Sequence, residues 1–296
     1  MKLRRILGTL VLVFALVLGV TGGIMPEKAK ASNKTEKVTL LKGEKYKISI
    51  LIGGNITSAK SSKKSVLAVK RDGSYAVVCT AKKAGKSTVT IRTSRGGTKK
   101  YVFTVKNAKI DCNLVSLAVT QSSSGKYNSI AAFQIVNKSG VYIPSAKIAY
   151  SLTGDAGMVL ESDAFTVSDL LPGATIYKTV DYSFKDAPIV SATAKMEDFS
   201  RYSAETKYLN MSSKINVTQT AGDLASGSMS FTMKNTTKKT VSGESDVIFK
   251  DAAGNIIYVR GMSFYLKSKG VATTDVTYIP DGAVTYQVVT RAYARA

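Results

Sequence analysis

The sequence predicts an all-β protein made of three antiparallel β-sandwiches in tandem, preceded by an N-terminal signal peptide. Three observations predict this class. Apolar residues occur in short alternating runs, clusters of Gly, Ser, Asn or Lys bound these runs, and no amphipathic stretch of helical length follows residue 31. The 265 residues that remain after residue 31 (296 − 31) suit two or three domains of about 90 residues better than one small core.

The first 31 residues have the three parts of a secretory signal peptide. Lys2, Arg4 and Arg5 supply positive charge, Ile6–Val20 is apolar, and Ala29–Ala31 offers small residues at the cleavage positions. The alternative is an uncleaved signal-anchor. A spanning helix needs about 20 continuous apolar residues, whereas this run is shorter and broken by glycine. We therefore expect cleavage after residue 31, no membrane span in the mature chain, and an extracellular, wall-associated location.

Strands of the first sandwich are predicted from runs rich in Val, Ile, Thr, Tyr and Phe. The clearest runs are Tyr75–Cys79, Ser87–Arg92 and Tyr101–Val105, and Arg95–Thr98 between the last two is typical of a hairpin turn. In the second run, the alternation turns Val89 and Ile91 toward the core and Thr88, Thr90 and Arg92 outward.

An internal repeat divides the C-terminal two-thirds of the chain. Two segments recur 98 residues on and two glycines recur 97 residues on: Phe133–Ser139 as Phe231–Thr237, Val119–Gln121 as Val217–Gln219, Gly157 as Gly254, and Gly173 as Gly270. Matches in one order at a near-constant offset indicate tandem copies. The predicted domains are therefore 32–107, 108–210 and 211–296.

Four segments of the first domain carry a family pattern: Val38–Tyr46, Ser61–Val69, Gly73 and Ala81–Ile91. Over residues 37–106 the chain resembles the bacterial Ig-like group 2 domains. It departs from them at Cys79, where an apolar residue is usual, and at Leu67-Ala68. The resemblance implies an Ig-like sandwich.

Both repeats are similar to the FxLYD-type bacterial β-sandwich. The segments that carry this similarity are Phe133, Asn137, Ile148–Leu152 and Leu171–Gly173 in the first copy, and Phe231, Asn235, Val241–Gly243 and Val247–Ile257 in the second. The two resemblances imply secreted or surface-exposed modules that serve as spacers, stalks and adhesive units of bacterial envelope proteins. These families share no active site, so the resemblance gives no residue a catalytic role.

The residue types present leave little room for catalysis. The chain has no His, which removes the usual general base and metal ligand, and two Cys cannot close a zinc site without His partners. Paired carboxylates are the remaining route, with Glu161 and Asp163 or Glu197 and Asp198 as candidates. Solvated strand edges or loops explain both pairs better, because spacing alone cannot place two carboxyl groups across a bond. We expect no enzyme, no metal and no cofactor.

Cys79 and Cys112 are the two cysteines of an exported chain, so they are a candidate disulfide that would tie the first domain to the second. The alternative is that Cys79 is a buried core residue. The separation of the two Cα atoms decides between them, and the sequence does not provide it.

Positive charge is concentrated in the first domain. Residues 32–107 hold 18 Lys+Arg and 3 Asp+Glu, a net of +15 (18 − 3), whereas residues 108–296 hold 19 and 16, a net of +3 (19 − 16). Such a bias favours contact with a polyanion. The candidate polyanion-binding residues are Lys60, Lys63, Lys64, Lys82, Lys83, Lys86, Arg92, Arg95, Lys99 and Lys100. The alternative is a lysine-rich surface that maintains solubility and discourages pairing of strand edges.

The expected partner is an anionic cell-wall polymer or glycan, because these polyanions are abundant outside a bacterial cell. A specific nucleic-acid partner is not expected, since the chain has no recognised motif for one and no Trp for base stacking. Tyr142, Tyr177, Tyr202 and Tyr208 are candidates for stacking on sugars or, alternatively, core residues. The sequence thus predicts a secreted, non-enzymatic, adhesive or structural envelope module. The alternative is an accessory protein whose C-terminal repeats bind another secreted or surface protein by strand addition.

Overall fold

The computed structural model describes residues 35–50, 53–200 and 208–295. Within these ranges the regular elements are twenty β-strands in six sheets and two short 3-10 helices, Asp155–Gly157 and Ser212–Lys214. The predicted all-β sandwich class is therefore confirmed. The predicted signal peptide lies outside the described residues. Among the described residues, no helix has the length and apolar character needed to cross a membrane.

The first sandwich contains seven strands: β1 (Glu36–Leu41), β2 (Lys45–Ser49), β3 (Ile56–Ser61), β4 (Leu67–Asp72), β5 (Ala76–Ala81), β6 (Gly85–Thr93) and β7 (Thr98–Lys106). One sheet has the order β1-β7-β6-β3 and the other the order β2-β5-β4. The β1–β7 pair is parallel, and the other pairs are antiparallel. Val89 and Phe103 of one sheet pack with Leu67 and Val77 of the other in a common core.

Alternation along β6 follows the predicted pattern. Val89 and Ile91 are fully buried, whereas Arg92 is exposed. The predicted turn follows this strand, where the N–H of Thr93 donates to the carbonyl of Gly97 at 2.9 Å. Gly96 within the turn has φ +78°, which a residue without a side chain adopts at little cost.

The second sandwich contains six strands: β8 (Ile110–Gln121), β9 (Tyr127–Asn137), β10 (Ile143–Thr153), β11 (Val159–Leu170), β12 (Thr175–Lys185) and β13 (Ser191–Phe199). Its sheets have the orders β11-β10-β13 and β12-β9-β8. Phe133, Ile135 and Ile176 of one sheet pack with Ile148 and Val167 of the other.

The third sandwich contains seven strands: β14 (Tyr208–Asn210), β15 (Ile215–Asp223), β16 (Ser228–Asn235), β17 (Val241–Lys250), β18 (Ile256–Leu266), β19 (Val271–Val276) and β20 (Thr285–Arg295). The sheet orders are β14-β20-β17-β18 and β15-β16-β19. β14 precedes the boundary drawn after residue 210, yet Tyr208 is the register partner of Arg295 in β20. The sheet of the third sandwich therefore includes residues that the repeat offset assigned to the second domain.

A buried asparagine marks the same position in the second and third sandwiches. Asn137 ends β9 and Asn235 ends β16, and both are fully buried. Each amide donates to two backbone carbonyls and each amide oxygen accepts one backbone N–H, at 2.7–2.9 Å; the partners are Val141, Leu170 and Ser139 for Asn137, and Lys239, Lys267 and Thr237 for Asn235. The 98-residue offset between these side chains therefore joins structurally equivalent positions.

Two other matches of the repeat are wrong in register. Val119 pairs with Ser129, whereas Val217 pairs with Met233, the equivalent of Ile135, so Val119–Gln121 and Val217–Gln219 occupy different positions in their hairpins. The short motif recurs at the right offset without sharing a place in the sheet.

Gly270 is also displaced by one position from Gly173. Gly173 has φ +75°, and the residue with a matching backbone in the third sandwich is Lys269, with φ +57°. The N–H of Asn137 donates to Ala174 and that of Asn235 to Gly270, which aligns Ala174 with Gly270. The turn is repeated, but the glycine within it has moved.

Apolar contacts join the sandwiches to one another. Leu41 of β1 is fully buried in the core cluster of the second sandwich. Ala132 of the second sandwich packs with Ile248 and Ile256 of the third, and the N–H of Ile256 donates to Ser116 Oγ at 2.8 Å. The outer face of the sheet β12-β9-β8 therefore packs against the sheet β14-β20-β17-β18.

Candidate polyanion-binding surface

The ten predicted polyanion-binding residues are all exposed on the first sandwich. Within the described part of the chain, none of them forms an ion pair. They fall into three groups: Lys60, Lys86, Arg92 and Lys100 on the outer face of the sheet β1-β7-β6-β3; Lys63, Lys64, Lys82 and Lys83 in two turns at one end of β6; and Arg95 and Lys99 at the other end. The structure therefore separates a face group from two end groups.

The face group is held by strand register. Lys100 on β7, Thr90 on β6 and Lys60 on β3 lie side by side across the sheet, and Arg92 lies in the next row of the same face, beside Ser58. Neighbouring strands are about 4.8 Å apart, so the Cα atoms of Lys60 and Lys100 are about 10 Å apart. These charges lie within about one Debye length (~8–10 Å) of each other and reinforce one potential.

Two further cations belong to this face and were missed by the sequence analysis. Lys37 is the register partner of Val102, and Lys106 is the partner of Leu41. The side chains of Lys37 and Lys106 are exposed. The alternation of the strands could have indicated them, because each lysine lies an even number of residues from an outward-facing residue of its own strand. We define the outer face as the outward side of the sheet β1-β7-β6-β3, with cations Lys37, Lys60, Lys86, Arg92, Lys100 and Lys106.

Lysines at the end of the sandwich are brought together by backbone hydrogen bonds. The N–H groups of Lys82 and Lys83 donate to the carbonyl of Val66, at 2.8 and 3.3 Å. This places the turn after β3, with Lys63 and Lys64, against the turn after β5. The resulting end group is a second concentration of charge, on loops and not on a flat sheet.

The three carboxylates of the first sandwich do not neutralise the outer face. Glu44 is 4% exposed and accepts the N–H of Leu41 at 2.7 Å; burial raises the pKa of Glu44, and this hydrogen bond opposes the rise. Asp72 is paired with Lys47 at 2.8 Å, and the hydrogen bond and charge of Lys47 lower the pKa of Asp72. Glu36 begins β1, on the side of the sheet opposite Lys37.

The candidate catalytic carboxylates have other partners. Glu161 accepts the Tyr150 hydroxyl at 2.7 Å, and burial together with this carboxylate raises the pKa of Tyr150. Asp163 accepts the following backbone N–H at 2.7 Å. Glu197, the neighbour of Asp198, forms an ion pair with Lys147 at 2.8 Å. Among the described residues, no group of three or more His, Cys, Asp or Glu side chains could hold a metal ion.

The candidate disulfide is not formed. Cys79 and Cys112 are both free thiols; Cys79 is fully buried in the core of the first sandwich, and Cys112 packs against the core of the second. The two side chains thus belong to different cores. Burial raises the pKa of Cys79 to about 12, and burial followed by the charge of Asp111 raises that of Cys112.

The tyrosines considered for sugar stacking have structural contacts. Tyr142 and Tyr208 pack against each other with ring centroids 4.3 Å apart, and Tyr293 contacts both. The Tyr142 hydroxyl donates to Asp169 at 2.5 Å, and burial followed by this bond raises the pKa of Tyr142. This cluster lies between the second and third sandwiches.

Of the other two tyrosines, Tyr177 accepts a hydrogen bond from the amide of Gln134 at 3.0 Å. Tyr202 lies outside the described residues.

Fold and surface together define a class of protein, a tandem β-sandwich chain with one strongly basic module. No family model matches the chain, and no curated protein matches it in sequence. Among solved structures, the chain is similar to the SGBP-B protein of the Bacteroides ovatus mixed-linkage glucan utilization locus, solved with a mixed-linkage heptasaccharide. The identity is 9% and the TM-score 0.20, over 90% of this chain and 74% of that one. A likeness at this level carries no argument about function.

Proposed function

We propose that this protein is a secreted, non-enzymatic module of the bacterial cell envelope, and that its basic first sandwich retains it by contact with anionic wall polymers or glycans. One observation carries the proposal. The first sandwich combines a net charge of +15 with ten exposed candidate cations that have no ion pair in the described ranges. Glu44 is buried, Asp72 is paired with Lys47, and Glu36 lies on the opposite side of its sheet, so the positive potential of the outer face remains directed at solvent.

Secretion in this proposal rests on the signal peptide that the sequence predicts. The assignment of the first sandwich to the bacterial Ig-like group 2 domains, and of the repeats to the FxLYD type, is part of the same proposal. Support comes from the two-sheet architecture of each module and from the paired asparagines Asn137 and Asn235.

The second and third sandwiches would be the displayed body of the protein. Ala132, Ile248 and Ile256 pack across their junction, so we expect the two sandwiches to form one rigid unit. Such a unit suits a spacer or a platform.

One observation favours the alternative of a protein partner. β11 is a twelve-residue strand at the edge of the sheet β11-β10-β13, and it begins beside the exposed side chains of Met158 and Val159. A long edge strand is a template for strand addition. Binding by this route would depend little on salt.

Charge reversal in the full chain tests the proposal. The test variant carries Glu at seven of the ten candidate cations, four from the outer face and three from its ends: Lys60, Lys86, Arg92, Lys100, Lys63, Lys82 and Arg95. A matched control carries the same number of substitutions to Glu in the third sandwich, at the exposed residues Lys214, Lys234, Lys238, Lys239, Arg260, Lys267 and Lys269. Each protein is sedimented with isolated cell walls across a salt series.

We expect wild type and control to bind, with affinity falling steeply as salt rises, and the test variant to remain in solution. Salt-insensitive binding of all three proteins would contradict the proposal and favour the edge of β11.

A further inference from the structure

The outer face of the first sandwich carries hydroxyl groups as well as cations. Between its cations, the outward positions of the four strands are mostly Thr and Ser: Thr39, Ser58, Thr88, Thr90, Thr98 and Thr104. Thr88 separates Lys86 from Thr90 along β6, and Thr90 separates Lys60 from Lys100 across the sheet. Charge and hydroxyl alternate in two rows across the sheet, Lys60–Thr90–Lys100 and Ser58–Arg92–Thr98. The other outward positions include the apolar residues Val102 and Leu41.

The other sheet of the same sandwich does not offer such a surface. On the outward side of β2-β5-β4, Lys47 is paired with Asp72, and the charge of Lys70 also acts on Asp72. Its cations are partly neutralised by a carboxylate of their own sheet. The outer face has no carboxylate among its outward positions from Lys37 to Leu41 on β1 or along β3, β6 and β7.

Spacing points to the kind of ligand. Adjacent strands are about 4.8 Å apart, so Lys60 and Lys100 are separated by about 10 Å, with the hydroxyl of Thr90 between them. The Thr90 hydroxyl can donate to an anion or exchange hydrogen bonds with another hydroxyl. A polymer with hydroxylated spacers between its anions would place anions at Lys60 and Lys100 and a spacer at Thr90.

We propose that the outer face is the binding site, and that it takes a linear polymer in which anionic groups alternate with uncharged, hydroxylated units. This inference rests on the proposed function and deepens it by naming the surface and the ligand chemistry. Poly(glycerol phosphate) is the simplest polymer of this class and serves as the probe.

Two charge-matched variants of the full chain separate the face from the end. In the face variant, Lys60, Lys86, Arg92 and Lys100 are replaced by Gln; in the end variant, Lys63, Lys64, Lys82 and Lys83 are replaced by Gln. Both lose four charges. Since a cation close to an anionic surface contributes about a factor of five in affinity, we expect the face variant to bind poly(glycerol phosphate) more than about 100-fold more weakly, and the end variant to stay within about 3-fold of wild type.

Each outcome decides something. Equal weakening of both variants would overturn the face assignment while leaving the proposed function intact, because net charge alone would explain it. Wild-type affinity of both variants would overturn the proposed function as well. Thermal unfolding verifies that each variant folds; should the face variant fail to fold, Lys60→Gln with Lys100→Gln replaces it, with an expected loss of about 25-fold.

A hydroxyl variant tests the ligand chemistry. Thr88→Val, Thr90→Val and Thr104→Val together keep the β-branched shape and remove three hydroxyl groups. Because each hydrogen bond contributes a factor of about 2 to 10, we expect affinity for poly(glycerol phosphate) to fall about 10-fold or more. Affinity for long-chain polyphosphate, which has no hydroxyl groups along its chain, should fall less. Equal effects on both polymers, or none on either, would overturn the alternating-polymer assignment and leave a general polyanion site.

Discussion

Removal of one buried amide, by Asn235→Ala, should destabilise the third sandwich by about 3 kcal/mol. Asn235 is fully buried; its amide donates to the carbonyls of Lys239 and Lys267 at 2.8 and 2.9 Å, and its oxygen accepts the N–H of Thr237 at 2.9 Å. Alanine removes these three hydrogen bonds, worth about 1 kcal/mol each, together with the bond that the Thr237 hydroxyl donates to the same oxygen. The groups left without partners add to the cost where water cannot reach them. Asn137→Ala should cost about the same, since Asn137 makes the equivalent bonds.

Urea unfolding provides the assay. The chain has no Trp and 15 Tyr, so tyrosine near-ultraviolet circular dichroism reports tertiary structure while far-ultraviolet circular dichroism reports the strands. The matched control is Asn216→Ala on the exposed side of β15, with an expected change within about 0.5 kcal/mol. Asn235→Ala within that same margin would refute the reasoning. A large effect at Asn235 with none at Asn137 would refute the structural equivalence of the two repeats.

Two further predictions concern buried ionisable groups. Asp246 is 2% exposed and shares Arg291 with Glu244; burial raises its pKa to about 6 against the opposing charges of Arg291 and Lys178. Because the folded pKa exceeds the unfolded one, the stability it contributes is present below about pH 4 and is lost as pH rises through about 6. Thermal midpoints should therefore fall between about pH 4 and 6, and Asp246→Asn should flatten the profile; an unchanged slope in that variant would contradict the assignment. For the cysteines, a thiol reagent in water should leave Cys79 unlabelled in the native protein and label both thiols after unfolding without reductant, because Cys79 is fully buried with a pKa of about 12. Absence of labelling after unfolding would show that the disulfide exists.

Local alternation made the strands of the first sandwich predictable. Each residue of β6 faces the core or solvent according to its parity, so Val89, Ile91 and Arg92 could be placed from the sequence alone. The same rule would have placed Lys37 and Lys106 on the outer face. Clusters of charge along the chain do not reveal them, because this surface is assembled across four strands.

Pairing between distant segments could not be read in the same way. Nothing near Tyr208 in sequence shows that its strand pairs with the end of β20, and nothing near Tyr142 shows that its ring meets Tyr208 and Tyr293. The two asparagines were predictable only in part. Their Asn-x-Ser/Thr spacing repeats in the sequence, but the backbone carbonyls that bind Asn137 and Asn235 lie up to 33 residues away.

The position of Leu41 connects the proposed binding surface to the rest of the molecule. It is an outward residue of β1, on the same side as Lys37, yet it is fully buried in the core cluster of the second sandwich. Lys106, its register partner, has its amine 3.0 Å from the place that a side-chain carbon on Gly140 of the second sandwich would occupy. One end of the outer face therefore lies at the junction of the two sandwiches. A fragment cut after residue 107 would expose Leu41, whose burial is worth about 1.5–3 kcal/mol, and would add an apolar patch to the basic surface. Charge-matched variants of the full chain avoid this, because they change the charge of the face and leave the junction in place.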